Sequence, residues 1–409
     1  MNRINKILVS TIVAILLLST VAFANPVNLE LNGNIKGLDL QVNNARTYVS
    51  GESLDQLGLN IATSNNGDAG SQIIVSNDNV TLLFIAGSNV VKVNKAELTI
   101  DAAAFIDKNV AYIPLRFVLE TLGHEITWDA KNRRILANMQ DGIINQSDEP
   151  STVISMAPSV SEIIFALGAG DKLVGRTKFC DYPLDVTNVA SIGSMFTPDI
   201  EQMVNIYPDI IIAQTHFKEE VLDKLNEAGI KTSTNATPQS LEEMYSAVTD
   251  IGRLINRNFE ARAIVSSMRS KVQRAEYVLR GVTHLPTVYY VVGTGEWGEW
   301  TATKNTYLAD VIAIAGGDNI AARHEPEANW SFTLEKLVDA NPQLIFGSQF
   351  NKDKMMDGEQ YSSIVAVKNN NFVAVNENIF ERPSPRLINE GLKILLEMFH
   401  PELVYNLGF

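Results

Sequence analysis

Cysteine is nearly absent from the sequence, and Cys180 is the only one. A single thiol excludes an internal disulfide, and it excludes zinc and iron–sulfur sites built from cysteine. Stability must therefore come from core packing, and we expect Cys180 to be buried. The 5 histidines are scattered, and neither HExxH nor GxSxG occurs. Glu162 and Asp181 could pair in space, but no catalytic residue, resident cofactor or enzyme activity is predicted.

Positive charge is in deficit, with 33 lysines and arginines against 47 aspartates and glutamates and a net charge of −14. A surface of this sign repels nucleic acid and anionic lipid, so neither is expected as the main partner. Low-complexity tracts are absent, and an apolar content of 45% is typical of folded protein. A chain of 409 residues is long enough for two or three domains.

The first residues indicate an extracytoplasmic location. Arg3 and Lys6 precede an apolar run from Ile7 to Val21, and Ala22-Phe23-Ala24 then offers a signal peptidase site. We predict that residues 1–24 are a cleaved secretory signal; the alternative is an uncleaved anchor, because the run is close to the shortest that spans a bilayer. No lipidation cysteine follows it. The protein is therefore expected to be secreted or extracytoplasmic and associated with the cell surface, by a means left open.

Residues 27–139 are predicted to form a small α+β domain. Short β-type runs alternate with Asn and Gly turns, and the order strand, helix, glycine, strand occurs twice, in TYVSGESLDQLGLNI and in IPLRFVLETLGHEITWD. Roughly residues 35–138 resemble the amino-terminal domain of copper amine oxidases, most specifically at Pro114, Arg116, Glu120, Leu122, Gly123 and Trp128. The resemblance implies a stalk or wall-proximal module without oxidase chemistry. Residues 140–151 are predicted to be a linker.

After the linker, strands and helices alternate, which is typical of a parallel sheet covered by helices. TVISM is predicted as a strand, and the helix after it is predicted to begin in a capping box of Ser159 and Glu162. Residues 240–280 are predicted to form a long helical stretch, broken near residues 256–258. Lobe one, residues 152–238, precedes it and lobe two, residues 285–409, follows it. The fold class is therefore α/β, with two Rossmann-like lobes joined by a long backbone helix.

A repeat supports two related lobes. TPDIEQMVNIYPDI, from Thr197, is echoed by SFTLEKLVDANPQL, from Ser331, at a constant offset (331 − 197 = 134). Chance similarity between helix ends is the alternative. Glu201 and Glu335 hold equivalent places in the first turns of equivalent helices, with Thr197 and Ser331 as the predicted caps. The helix dipole stabilises a carboxylate at such a place.

Two lobes that face each other form a cleft, and ligands of such folds bind where the carboxyl ends of the strands meet. The loops predicted to line the cleft are FCDYP, GSMF and QTHF in lobe one and GEWGEW, ANW and FERPSPR in lobe two. These loops hold three of the 4 tryptophans. A flat, largely apolar ligand explains this concentration, whereas the alternative is that the rings only close the ends of the sheets.

Residues 151–405 resemble the solute-binding proteins that serve ABC importers of cobalamin, haem and iron–siderophores. CDYP after VGRTKF, and FERPSPRL near the end, resemble the cobalamin-binding branch most closely. The resemblance implies that residues 152–409 form a periplasmic-binding-protein-like domain. It further implies that this domain captures a corrinoid between its lobes and delivers it to the permease dimer of an ABC importer.

The resemblance also implies individual ligand contacts. By position, Tyr182 contacts the corrin, Arg382 contacts its amide rim, and Trp300 and Trp330 pack on the ligand from lobe two. Phe196 joins this set because the broad apolar face of a corrin suits aromatic rings, as its amide edge suits a guanidinium. The sequence departs from the family pattern at Met195, where tryptophan is frequent.

Arg382 and the two repeat glutamates carry further expectations. Arg382 has an alternative role as a buried structural partner of Glu381 or of a helix end. The family presents one glutamate from each lobe to arginines on the two permease subunits, and Glu201 and Glu335 hold the matching positions. Mirrored charges suit a two-fold partner. The alternative is that each glutamate only stabilises its own helix.

Other ligands and functions stay open. Haem is the strongest competitor, because Tyr182, His216 or His324 could ligate its iron. A siderophore would require more arginines at the rim. A bare metal ion would require more converging ligands than His216 and His324, and no metal site is predicted. Residues 35–138 alone support a cell-wall adhesion or scaffold protein.

Overall fold

A computed structural model describes residues 27–65, 70–139, 149–214, 218–295, 298–325 and 330–406. The predicted signal, residues 1–24, lies outside these ranges, as do residues 140–148 of the predicted linker. No helix in the described ranges combines the length and the apolar character that a membrane span needs.

The N-terminal domain is built mainly from short strands. They are β1 (Asn28–Leu31), β2 (Asn34–Lys36), β3 (Leu40–Asn43), β4 (Arg46–Ser50), β5 (Asn60–Asn65), β6 (Ser71–Ser76), β7 (Thr81–Ile85), β8 (Val90–Val93), β9 (Ala96–Thr99), β10 (Phe105–Asp107), β11 (Val110–Pro114), β12 (His124–Asp129) and β13 (Arg134–Met139), with helix α1 at Leu115–Thr121. Their sheets have the orders β12-β13-β1-β2, β10-β11-β4-β3 and β5-β6-β7-β8-β9. Ile73 and Val75 of β6 are buried and alternate with more exposed residues, the period of two that a strand with one buried face shows.

The duplicated unit expected in this domain is present. β4 leads into a 3-10 turn at Gly51–Leu57 and then into β5, and β11 leads into α1 and then into β12. Gly58 and Gly123 follow the two helical turns in the left-handed conformation, with φ of 73° and 97°. A Cβ added to Gly123 would lie 2.6 Å from Nη1 of Arg262. Glycine is therefore needed at position 123 for the left-handed turn, whereas the flexible end of the Arg262 side chain can move aside.

The remaining described residues form two lobes and the helices between them. Lobe one contains β14 (Val153–Ser155), α2 (Pro158–Ala166), β15 (Leu173–Arg176), α3 (Ile200–Ile206), β16 (Ile210–Ala213), α4 (Glu219–Glu227) and β17 (Thr232–Thr234). Helices α5 (Leu241–Leu254) and α6 (Asn258–Leu279) follow. Lobe two contains β18 (Thr287–Val291), β19 (Glu299–Trp300), α7 (Tyr307–Ile314), β20 (Asp318–Asn319), α8 (Ile320–His324), β21 (Ser331–Phe332), α9 (Leu334–Ala340), β22 (Leu344–Gly347), α10 (Gln349–Asp357), α11 (Val365–Lys368), β23 (Phe372–Ala374), α12 (Glu377–Phe380) and α13 (Leu392–Phe399).

The two lobes have the same sheet topology, which confirms the predicted fold class. Their parallel sheets have the orders β15-β14-β16-β17 and β20-β18-β22-β23, so the first strand of each lobe lies second in its sheet. The offset of 134 seen in the sequence (344 − 210 = 134) relates the starts of β16 and β22. It also relates Tyr207 and Asn341, which end α3 and α9 with φ of 49° and 46°.

The caps of α3 and α9 differ from the prediction. Asp199 and Thr333, not Thr197 and Ser331, accept a hydrogen bond from the backbone N–H three residues ahead. The predicted residue Thr197 is instead bonded to Ser194 in the preceding turn. The capping positions are still 134 apart (333 − 199 = 134), so the repeat is preserved although the predicted residues were wrong.

The capping box predicted for α2 is also wrong. The helix begins at Pro158, and Ala157 occupies its cap without a side-chain hydrogen bond. Ser159 therefore lies inside the helix, where its hydroxyl donates to Gln214. Glu162 is buried and accepts hydrogen bonds from lobe two instead of closing the helix end. A serine and a glutamate three positions apart fit a capping box and a buried polar contact equally well.

The helical stretch between the lobes is two helices that pack against each other. The interruption is at residues 255–257, where Asn256 has a φ of 55°. Helix α6 spans 22 residues and about 33 Å, at 1.5 Å per residue. One apolar cluster includes Ile163 of lobe one, Met268 of α6 and Leu395 of lobe two. The lobes and the long helix thus share a continuous core at their junction.

The N-terminal domain packs against this long helix. Helix α1 lies on α6, and Phe259 and Ala263 of α6 belong to the apolar core of the N-terminal domain. Polar contacts cross the same junction: Ser266 donates to Glu120, and the Ser267 hydroxyl donates to the Thr99 carbonyl oxygen. The domain is therefore built onto the helix that joins the lobes, instead of standing apart from it as a separate stalk.

Lys271 lies at the centre of this junction and supplies a test of it. Its ammonium group is buried and donates to Thr99 and Asn389. Burial lowers the pKa of Lys271 to about 8, although Asp101 nearby opposes the shift. Between pH 8 and the ordinary lysine pKa of 10.5, the folded protein holds less of a proton at this site than the unfolded chain. The stability contribution of Lys271 must therefore rise with pH in that window.

We expect the free energy of unfolding of the natural protein, relative to that of Lys271→Met, to rise by about 2 kcal/mol between about pH 7.5 and 9.5. Urea unfolding of both proteins at several pH values measures this difference. Lys336→Met, which changes an exposed lysine of lobe two, controls for loss of a charge and should show no such rise. A pH-independent difference for Lys271→Met would mean that Lys271 is solvated.

Candidate functional site

The loops at the carboxyl end of the lobe-one sheet are tied together by their backbone. The N–H of Lys178, just after β15, donates to the carbonyl oxygen of Gly193 at 2.8 Å. Cys180 is buried, as expected, with its sulfur 3.2 Å from the Thr177 hydroxyl. Phe196 is 70% exposed at the tip of its loop. In lobe one, the exposed ring of Phe196 thus lies close to a loop whose backbone is held by a hydrogen bond to the neighbouring loop.

Arg382 connects this loop of lobe one to lobe two. Its Nη1 donates to Glu162 at 3.0 Å and to Asp181 at 2.6 Å, and its Nη2 donates to the carbonyl oxygen of Phe179 at 3.3 Å. Glu162 also accepts a hydrogen bond from Ser384. Glu162 and Asp181 do come together, but around an arginine and not as a free acid pair. The structure places Arg382 in a buried contact between lobes, close to the alternative role expected for it, with different partners.

The electrostatics of this contact follow from its burial. Burial raises the pKa of Glu162, and the hydrogen bonds from Ser384 and Arg382 oppose that shift. Burial by itself would lower the pKa of Arg382, but the hydrogen bonds to Asp181 and Glu162 outweigh it and raise the pKa. The cation is therefore held in place by both carboxylates. The neighbouring Glu381 accepts a hydrogen bond from Tyr290 instead of pairing with Arg382.

Tyr182 is 37% exposed, and one face of its ring is covered by Arg386. The guanidinium carbon of Arg386 lies 3.7 Å from the centre of its ring, a cation–π contact, and its hydroxyl donates to Glu390 at 3.2 Å. Arg386 also donates to Glu390. Burial and the nearby Glu390 raise the pKa of Tyr182, so its phenol stays protonated at neutral pH. Tyr182 and Arg382, predicted separately, therefore belong to one cluster built from the two ends of the domain.

The lobe-two tryptophans lie on one antiparallel ladder. Trp300 of β19 pairs with Ser331 of β21, and the N–H of Thr301 donates to the carbonyl oxygen of Trp330 at 3.0 Å. Trp300 is 43% exposed. The ring of Trp330 is half-buried and packs on Tyr307 with centroids 5.6 Å apart. Trp300 thus faces solvent, whereas Trp330 closes the core beneath it; Trp297 lies outside the described residues.

A buried polar network supports the strand that carries Trp300. Glu299, the preceding residue, accepts hydrogen bonds from Tyr361 at 2.7 Å and from Thr294 at 3.0 Å. Burial raises the pKa of Glu299, and these two hydrogen bonds oppose the shift. Because the Glu299 side chain points inward, strand alternation turns Trp300 outward.

The two glutamates of the repeat are exposed at matching places. Glu201 lies in the first turn of α3 and Glu335 in the first turn of α9. Both side chains face solvent. The helix ends are capped by Asp199 and Thr333, so neither glutamate is needed as the cap. Each lobe therefore presents one carboxylate from the same position of its fold.

The histidines give little support to a metal site. His324 is exposed at the end of α8, and His216 lies outside the described residues. In the part of the chain that the structure describes, no three His, Cys, Asp or Glu side chains converge as metal ligands would.

Sequence reasoning missed two site residues. Phe350 is exposed at the start of α10, just past the carboxyl end of β22. The equivalent loop of lobe one, QTHF, was included in the predicted cleft, so applying the same offset (348 − 214 = 134) to lobe two identifies this loop. Arg386 stands in the predicted loop FERPSPR, but no sequence signal pairs it with Tyr182.

Comparisons with known proteins agree with this architecture. The family described as periplasmic binding protein matches residues 153–378, more than half of the chain. The copper amine oxidase N-terminal domain family matches residues 32–137.

Individual relatives are more distant. An uncharacterised ABC transporter substrate-binding lipoprotein of Bacillus subtilis is 29% identical over 273 residues, covering 65% of this chain and 84% of the relative. A cobalamin-binding protein of Halobacterium salinarum is 27% identical over 270 residues, covering 63% and 71%. Among solved structures, the periplasmic haem-binding protein of Roseiflexus sp. RS-1 has a TM-score of 0.55 at 20% identity, covering 63% of this chain and 99% of that one. The similarity to that structure establishes the fold alone.

Proposed function

Because the chain belongs to the periplasmic binding protein family, and is a substrate-binding protein of the ABC transporter type, we propose that the solute it captures is a corrinoid. The family consists of transport proteins and not of enzymes, in agreement with the prediction from the sequence. The corrinoid lies between the two lobes, at the carboxyl ends of their parallel sheets. A permease dimer then receives it.

The exposed aromatic rings at the two sheet ends carry this proposal. Tyr182 and Phe196 in lobe one, and Trp300 in lobe two, expose apolar surface that water solvates poorly. A corrin ring offers a broad apolar face that can cover them. The relationship to cobalamin-binding proteins, at 24–27% identity, supports the same ligand class. Trp330 contributes through its carbonyl oxygen, which accepts a hydrogen bond from Thr301 beside Trp300. Contact of Arg382 with the amide rim of the ligand stays a prediction.

The ligand class is tested by titrating the purified protein with cyanocobalamin, cobinamide and haemin, followed by absorbance and calorimetry. We expect stoichiometric binding of a corrinoid, with cobinamide separating recognition of the ring from recognition of the lower nucleotide. Binding of haemin alone would replace the corrinoid by the main competing ligand. A ferric siderophore in the same assay tests the third ligand class.

Individual rings should matter for affinity. Tyr182→Ala and Trp300→Ala are each expected to weaken corrinoid binding by about tenfold or more, because central aromatic residues dominate such interfaces. Calorimetric titration of each variant measures the loss. Tyr277→Ala removes a comparably exposed ring from the end of α6 and should leave affinity unchanged. If Tyr182→Ala and Trp300→Ala bind the corrinoid as tightly as the natural protein does, the ligand lies elsewhere.

We also propose that Glu201 and Glu335 dock the loaded protein on the permease. Their equivalent positions in two lobes whose parallel sheets have the same strand order support this role, because an approximately two-fold pair of charges suits a partner with two similar subunits. Neither glutamate makes the cap hydrogen bond of its helix, so both exposed carboxylates are available to bind a partner. Attraction of this kind controls association more than it controls the capture of solute.

A further inference from the structure

A cavity lies where the N-terminal domain packs on α6. Its volume is about 360 Å³, and its lining combines side chains of the N-terminal domain with Ser267, Ser270 and Gln273 of α6. A cavity of this size lies within the range of small-molecule sites, roughly 300–1,000 Å³. The junction between the domain and the long helix therefore forms a pocket of ligand size that opens to solvent.

The deep part of this pocket is apolar. Ile100, Leu115, Leu119 and Ile135 line it, and all four belong to the core cluster of the N-terminal domain. Such walls offer a sugar or a peptide backbone few hydrogen bonds, and burying unpaired polar groups against them is unfavourable. A hydrocarbon, in contrast, makes only favourable contacts there. These walls therefore favour a ligand that is mostly apolar.

The mouth of the pocket differs from its floor. Val42 and Trp128 line it and are exposed, so apolar surface continues from the pocket to solvent. Three arginines, Arg46, Arg116 and Arg133, also line the pocket, against one aspartate, Asp101, which is paired with Arg46. A positive excess at one place is notable in a chain with a net charge of −14. The charge favours an anionic group at the mouth.

We propose that this pocket binds a molecule with a hydrocarbon chain and one anionic head group, such as a carboxylate or a phosphate. An apolar cavity of about 150 Å³ admits benzene. In proportion, about 360 Å³ holds about 14 carbon atoms, so a chain of about 12 fits. Two sources share this chemistry, a free fatty acid and the acyl chain of an anionic lipid. Either would add to the N-terminal domain a ligand separate from the solute of the lobes.

Dodecanoate is the probe for a test on the full chain, purified and stripped of lipid. Calorimetry below its micellar concentration should show one site, at least tenfold tighter than for dodecyltrimethylammonium, which has the same chain and the opposite charge. Equal or tighter binding of the cation would overturn the anionic head group, and no binding of either would overturn the pocket. Dihexanoylphosphatidylglycerol is titrated beside dodecanoate. Tighter binding of this phospholipid would identify an anionic lipid as the source, and tighter binding of dodecanoate would identify the free acid.

Variants locate the site. Ser270→Phe fills the cavity from α6 and should weaken dodecanoate at least tenfold, whereas Ser246→Phe, on the exposed side of α5, should not. Ala102→Leu fills the pocket from the N-terminal domain, so the test survives if Ser270→Phe fails to fold. Unchanged affinity in either folded pocket variant refutes the assignment. Trp300→Ala should bind dodecanoate normally, which separates this site from the solute site.

Discussion

Replacing Arg382 with methionine is expected to destabilise the protein by about 3–5 kcal/mol, the typical cost of leaving one member of a buried ion pair without its partner. The size of the effect is set by Glu162, whose side chain is only 2% exposed, and not by Asp181, which is 54% exposed. Without the guanidinium, Glu162 keeps only the hydrogen bond from Ser384. Chemical unfolding at neutral pH measures the loss.

Matched variants separate the buried pair from an ordinary surface charge. Lys393→Met removes a cation from an exposed pair with Glu397 and should cost less than about 1 kcal/mol. Asp181→Asn should likewise cost little, because water can solvate that position. Replacing both Glu162 and Arg382 with methionine should recover most of the loss, since no isolated charge remains buried. An Arg382→Met protein as stable as the natural one would show that solvent reaches Glu162.

The same contact bears on how the lobes move. Arg382 follows lobe-two helix α12, and its partners lie in α2 and in the loop after β15, both in lobe one. The apolar cluster shared by the lobes and α6 surrounds the junction. Opening the lobes widely would have to break this ion pair and expose that cluster. The structure therefore favours small adjustments of the loop tips over large hinge motion when a ligand binds.

The fold was predictable to the extent that its signals are periodic. Alternation of strands with helices, and the offset of 134 between the lobes (331 − 197 = 134), identify two related α/β units without any structure. Caps are less predictable. Ser159, Thr197 and Ser331 each have a side chain that can cap a helix, but other residues, Ala157, Asp199 and Thr333, occupy the cap positions. A hydroxyl can bond to whichever neighbour is closer. The sequence shows which residues can cap a helix but not which one does.

The site was predictable at the level of loops and not of contacts. Trp300 and Trp330 were predicted in two separate loops of lobe two, and only the structure shows that β19 pairs with β21 and that the ring of Trp330 packs on Tyr307. Arg382 and Glu162 are 220 positions apart, and no periodic signal connects residues at that distance. The packing of α1 on α6 was missed for the same reason. Long-range pairing is decided by the tertiary fold, which local patterns do not encode.

Reversing both repeat glutamates should abolish transport. In Glu201→Lys/Glu335→Lys, each lobe would present a cation to a permease surface that is proposed to use arginines, so attraction becomes repulsion at two places. Both positions are exposed and neither glutamate caps its helix. Because each glutamate interacts favourably with its helix dipole, the two reversals together should cost about 1–2 kcal/mol, too little to unfold the protein. The expected result is uptake at background level with unchanged affinity for the solute.

A matched control keeps this experiment decisive. Glu227→Lys/Glu359→Lys makes the same change in net charge, again with one exposed site in each lobe, but away from the starts of α3 and α9. This variant should retain uptake, whereas a general charge effect would impair both doubles equally. The two single reversals add a finer test. Since the proposed partner has two similar subunits, each single reversal should reduce transport in part, and the reduction should be smaller at high salt, where exposed charges are screened. Normal uptake by Glu201→Lys/Glu335→Lys would mean that the permease recognises another surface.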